Sequence, residues 1–202
     1  MKALKSNIKA PVRVRKYNNG GSAPTDPPSE FEKFLAYTIK KKGGKPEQYN
    51  DLMTAIAFHE TGPHQRMKSN AVQLVEVDGK IMPGGPGRGL FMFEEGDDKG
   101  GITAINRTYK EYKDAGLDIP EFLSEAYKKT SINMSELTEE QQKIVFLGNY
   151  LQHPKANFSD VMNGKQSYDD FWFSFHQAGG PEVKEARLSA FQESQKARKK
   201  NK

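Results

Sequence analysis

Ala55-Ile56-Ala57-Phe58-His59-Glu60-Thr61-Gly62 is the stretch that decides how this chain reads. It sets a carboxylate on the last turn of an apolar helix, two residues ahead of a glycine suited to ending that helix. Leu52, Met53, Ile56 and Ala57 recur at helical spacing within residues 46–59, which predicts a helix buried on one face. At its C-terminal end the last carbonyls are unpaired and form the negative pole of the macrodipole. The neighbours of Glu60 are Phe58 and Ile56 rather than cations. Both circumstances disfavour the charged form of Glu60 and are expected to raise its pKa. A carboxylic acid that keeps its proton near neutral pH can give it to a leaving oxygen, the first need of glycosidic-bond cleavage.

Working outward, Ser29 and Glu32 form a capping box that opens a helix to about Lys42, closed by Gly43-Gly44. Pro46 starts the helix that carries Glu60. Beyond a polar loop, Asp78-Gly79 stands between the apolar runs 72–77 and 80–82, a strong hairpin signal. Residues 83–89, Pro-Gly-Gly-Pro-Gly-Arg-Gly, read as a long flexible loop and a mobile wall for a cleft. Leu90-Phe91-Met92-Phe93 follows. The remainder reads as helices over 101–112, 120–129, 138–151 and 168–178, the last capped by Ser167 and stopped by Gly179-Gly180-Pro181. Residues 182–198 form a polar helix. The expected fold is mainly α (α+β): a helical domain over 29–181 with a small β-hairpin beside the Glu60 helix. Residues 1–28 are expected to be an extended arm and linker, and 182–202 a C-terminal helix with a basic tail.

The 202 residues carry a net charge of +5, with the basic excess at the two ends. Those basic residues are not interleaved with aromatics on a surface, so nucleic acid ranks last among partners. The chain has no cysteine, which removes disulfides and thiolate metal sites. No apolar run reaches transmembrane length, and no apolar stretch backs the N-terminal lysines, so neither a membrane span nor a signal peptide is expected. His59 and His64 flank Glu60, but the second histidine falls beyond Gly62 and Pro63, which is not zincin spacing. No metal and no cofactor is expected.

Four short segments, in order over about residues 46–180, resemble the soluble lytic transglycosylase and goose-lysozyme-like branch of the lysozyme superfamily. They are Glu60-Thr61, where the family has Glu-Ser; Gly89-Leu90-Phe91-Met92, where it has Gly-Leu-Met-Gln; Lys143-Ile144 with Tyr150-Leu151, at the spacing of a later family helix and with Leu147 at its glycine position; and Phe175-His176-Gln177-Ala178-Gly179, where it has Ala-Tyr-Asn-Ala-Gly. The resemblance implies a lysozyme-like fold and cleavage of the bond between N-acetylmuramic acid and N-acetylglucosamine in peptidoglycan strands. Glu60 is the implied catalytic acid; Thr61, Gly89, Leu90, Met92, Glu94, Tyr150, His176 and Gln177 are the implied substrate-binding set. With Gly87-Arg-Gly-Leu-Phe91, the version here looks like those carried in phage particles, acting on the host periplasm and cell wall. Virion structural proteins would then be partners of residues 1–28.

In that family the glutamic acid protonates the glycosidic oxygen and then takes the proton of the muramic 6-hydroxyl, closing a 1,6-anhydro ring; intramolecular attack lets one carboxylate do both steps. A hydrolase needs a second carboxylate, for which Glu76, Asp78, Glu94 and Glu95 are candidates. The departures from the family pattern are Thr61 for Ser, Met92 for Gln and His176 for Tyr. They keep a second reading open, a structural virion protein on a catalytically degenerate lysozyme-like fold. From the residues alone, Trp172 reads as core among Phe171, Phe173 and Phe175, and Asn106 and Arg107 as surface residues with the glycan or its peptide as the alternative contact.

Overall fold

The computed structural model describes residues 27–96, 100–153, 157–174 and 181–200; of the arm expected over 1–28, residues 1–26 lie outside them. The fold is mainly helical with a small three-stranded antiparallel sheet. Helix α1 is Glu30–Lys42 and α2 is Pro46–Glu60. The strands β1 (Val72–Val77), β2 (Lys80–Arg88) and β3 (Phe93–Glu94) follow. After them come α3 (Gly100–Ala115), α4 (Glu121–Tyr127), α5 (Glu139–Gln152), α6 (Phe158–Met162), α7 (Tyr168–Phe173) and α8 (Pro181–Lys200).

Local chemistry explains most boundaries. Ser29 and Glu32 exchange bonds in a capping box, and Thr138 with Gln141 does the same at the start of α5. Asp78 and Gly79 both sit at positive φ, 52° and 73°, so the β1–β2 connection is a two-residue turn with Val77 paired to Lys80. The α2 chain buries Tyr49, Leu52, Met53, Ile56 and Ala57, and ends where Gly62 turns to φ 59°.

The core lies among α1, α2, α3, α5 and α7, with Phe34, Phe146, Phe158 and Phe171 fully buried. Helix α3 runs along α5, and their close approach depends on Gly148. A Cβ there would come 2.5 Å from the Thr108 side chain. The close-approach glycine is thus one residue past Leu147, the position where the family resemblance puts it.

Two expectations are corrected. Residues 83–88 are not a loop: β2 runs through them as the middle strand, paired with β1 and, at Gly87 and Arg88, with β3. Small residues permit this. The Gln73 side chain crosses the strand, accepting the Gly87 N–H at 3.0 Å, and a Cβ on Gly85 would come 2.2 Å from its Oε1. Arg88 braces the bend by donating to the Gly85 carbonyl and pairing with Glu95. Helix α7 ends at Phe173 with Ser174 as its cap rather than running to residue 178; residues 175–178 lie outside the described part.

Helix α8 is joined to the helical body. It packs on α2 and α7, buries Phe191 in the common core, and pairs Arg198 with Asp51 at 2.8 Å. Arg198, read from sequence as part of a basic tail, is buried.

Candidate active site

The end of α2 brings Glu60 to the rim of the sheet. Its carboxylate is half-buried, and Oε1 accepts the indole N–H of Trp172 at 2.5 Å. A buried tryptophan needs a partner for its one polar atom, and α7 delivers that atom to Glu60. Trp172 is 5 % exposed, so it is core, as the sequence suggests, and also a ligand of the carboxylate. Its ring is held in turn. The His59 imidazole stands edge-on to it with centroids 4.6 Å apart, Phe191 packs at 5.3 Å, and His59 Nδ1 lies 3.2 Å from the Ser194 hydroxyl of α8. Three helices therefore set the orientation of one acid.

Glu60 lines a cavity of about 580 Å³ between the end of α2 and the β1–β2 hairpin. Thr61, His64 and Gln65 form one wall; Leu74, Glu76 and Ile81 form the other; Met92 and Glu94 close it. A second cavity of about 290 Å³ adjoins it, sharing Met92 and Glu94. Arg107, Asn149, Tyr150 and His153 from α3 and the α5 end line that second space. Met92 and Glu94 line both cavities, so Met92 stands at the waist between them.

Tyr150 is 8 % exposed, and burial together with the negative charge of Glu60 pushes its hydroxyl well above the ordinary tyrosine value, Arg107 opposing. The Glu60 charge is thus felt across the waist. Arg107 donates to Asn149 Oδ1 at 3.0 Å, and burial holds its guanidinium below the usual arginine value.

The other implied site residues divide by location. Met92 takes φ 46°, an unfavourable region for a side chain with a Cβ, and its half-exposed side chain reaches both cavities while Phe91 and Phe93 turn into the core. Glu94 is exposed at the shared wall. Thr61 lines the larger cavity, but its hydroxyl works inside the fold: it donates to the Ala57 carbonyl at 2.7 Å and accepts the Met67 N–H at 2.9 Å. Gly89 and Leu90 are corrected from substrate contacts to framework. Gly89 is buried at φ 77°, with room for no Cβ because Gln142 Oε1 would be 2.4 Å away, and Leu90 is 0 % exposed. The buried Gln142 amide accepts the Leu90 N–H and donates to the Ser69 and Leu137 carbonyls, clamping this segment behind the groove. His176 and Gln177 lie outside the described residues.

Sequence reasoning missed the bond between Trp172 and Glu60, and set Arg107 on the surface. The first had a legible signal, an indole N–H in an otherwise apolar run. The second did not, because only the α3–α5 packing decides which side of α3 faces a cavity. Among the described residues no group of three or more histidines, aspartates and glutamates is placed to hold a metal ion, and no helix is long and apolar enough to cross a membrane. Compared with models of protein families, with curated proteins and with solved structures, the chain finds no match.

Proposed function

We propose that this chain is a lysozyme-like protein that cleaves the glycan strand of peptidoglycan, with Glu60 as general acid. The observation that carries the reading is the position of Glu60: a half-buried carboxylate on the wall of a cavity, oriented by an indole N–H and close enough to Tyr150 for its charge to act on that hydroxyl. Two adjoining cavities, about 580 and 290 Å³, that share Met92 and Glu94 suit a linear polymer better than a small metabolite. In the proposed reaction Glu60 protonates the glycosidic oxygen between N-acetylmuramic acid and N-acetylglucosamine. It then accepts the proton of the 6-hydroxyl as that oxygen closes on the anomeric carbon, and the proton count returns to its start. A water-using muramidase would instead draw on Glu76 or Glu94, which line the same cavity.

The test is digestion of purified cell walls by the wild type and by Glu60→Gln, with mass spectrometry of the released muropeptides. Clearing by the wild type alone, with 1,6-anhydro ends, supports the transglycosylase; reducing ends support the hydrolase. Equal release by both proteins would sink the role given to Glu60.

A second reading has its own support. Met92 sets a thioether at the waist of the groove where the family pattern has an amide. A structural virion protein on a degenerate fold would show no release of muropeptides and would lose incorporation into phage particles on deletion of residues 1–28. Carriage in a phage particle belongs to both readings; the cell wall of the host as target belongs to the first.

A further inference from the structure

We infer that the smaller cavity is a carboxylate-binding subsite built around Arg107, which recognises an acidic substituent of the strand cleaved at Glu60; the inference rests on the proposed reading of that groove. Arg107 is a half-buried guanidinium on α3 that lines the cavity. Its one hydrogen bond among the described residues goes to Asn149 Oδ1, a neutral acceptor. No ion pair joins it to any carboxylate among the described residues, although Glu94 lines the same cavity. Two other arginines withdrawn from solvent are ion-paired, Arg198 with Asp51 and Arg88 with Glu95.

A half-buried guanidinium that has lost part of its hydration and keeps one neutral partner gains from a ligand that completes it. It offers five N–H donors in a planar fork, of which Asn149 takes one. The fork matches a carboxylate in geometry and charge, and a cavity of about 290 Å³ holds a group of that size with its attached chain. Asn149 holds the fork from α5, and Tyr150, the next residue, lines the same cavity and feels the charge of Glu60. The subsite is therefore in register with the acid: Met92 and Glu94 are common to both spaces, so a strand lying across the waist would present a side substituent to Arg107 while its backbone passes Glu60.

Peptidoglycan carries carboxylates in two places, on the lactyl group of the muramic ring and along its stem peptide. Both share the chemistry that Arg107 would recognise, and small probes separate them. The full-length protein is titrated with N-acetylmuramic acid, with an acidic stem peptide lacking sugar, and with N-acetylglucosamine, following the Arg107 Nε–H resonance. None of the three has a bond for Glu60 to cleave. At least one carboxylate probe is expected to shift that resonance and to bind about tenfold or more tighter than N-acetylglucosamine. Which of the two does so names the source. Arg107→Gln should abolish the preference with an unchanged melting temperature, and Arg107→Lys should keep part of it. Failure of both carboxylate probes to move the resonance, or wild-type affinity in Arg107→Gln, would overturn the subsite. Should the subsite bind while Glu60→Gln cleaves walls as well as the wild type, the catalytic reading fails alone; the reverse result removes the subsite alone.

Discussion

Two carboxylates, one at the α1–α3–α5 junction and one at the groove, show how differently the same group is treated in two regions of this fold. Glu111 has a side chain that is 0 % exposed. It accepts from Tyr37 at 2.5 Å and from Lys41 and Gln152. Burial alone would raise its pKa, but the bonds from Lys41, Tyr37 and Gln152 and the Lys41 charge outweigh it, and the carboxyl sits below the ordinary value of 4.5. Glu60, by contrast, stops at the edge of the body, takes the Trp172 N–H, and keeps contact with a cavity. One acid is enclosed by three donors from two neighbouring helices and serves the fold. The other is oriented by Trp172 and lines a cavity, as chemistry on a ligand requires.

The sharpest way to break this comparison is a crossed pair of substitutions. Glu60→Gln is expected to lower wall-cleaving activity by about 10²–10⁴-fold, the range for loss of a general acid, while leaving the melting temperature within a few degrees. Turbidity loss of cell walls and calorimetry read the two effects. Glu111→Gln should do the opposite. Lys41 is 37 % exposed and recovers some solvation, so the loss is about 2–3 kcal/mol rather than that of a fully enclosed pair. For a chain of this size that lowers the melting temperature by roughly 5–10 °C. Specific activity measured below the transition should be retained; a parallel fall in activity would tie the junction to the groove.

The pH response sharpens the same contrast. The folded pKa of Glu111 is depressed, so its contribution to stability is fully present above the unfolded value near 4.5. It is lost as pH falls through the lower folded value. Melting temperatures of wild type and Glu111→Gln should therefore converge on acidification below about pH 4.5, and a constant gap would contradict the assignment.

The smallest expected effect lies in the setting of Glu60. Trp172→Phe keeps the packing against His59 and Phe191 but removes the N–H. With one donor to a charged acceptor gone, kcat should fall about tenfold with KM nearly unchanged, and the alkaline limb of the pH–rate profile, set by loss of the proton from Glu60, should move upward. A mere loss of packing would lower stability without moving that limb.

Local sequence determined where most of the helices begin, though not the short α6, where the hairpin turns and much of the core, because caps, turn dipeptides and apolar periodicity act over a few positions. Ser29, Thr138, Asp78-Gly79 and the Leu52–Met53–Ile56–Ala57 stripe all lie where their chemistry put them. It also singled out Glu60 as a carboxylate ending an apolar helix. Only the tertiary structure decided that Pro83 to Arg88 is a strand, since its pairing depends on β1 side chains filling the space that the glycines leave. Packing alone likewise turned Leu90 inward, brought Trp172 to Glu60 from more than a hundred residues away, and aimed Arg107 into a cavity. Contacts of that reach have no local signature, because they are set by which helix faces meet rather than by the residues beside them in the chain.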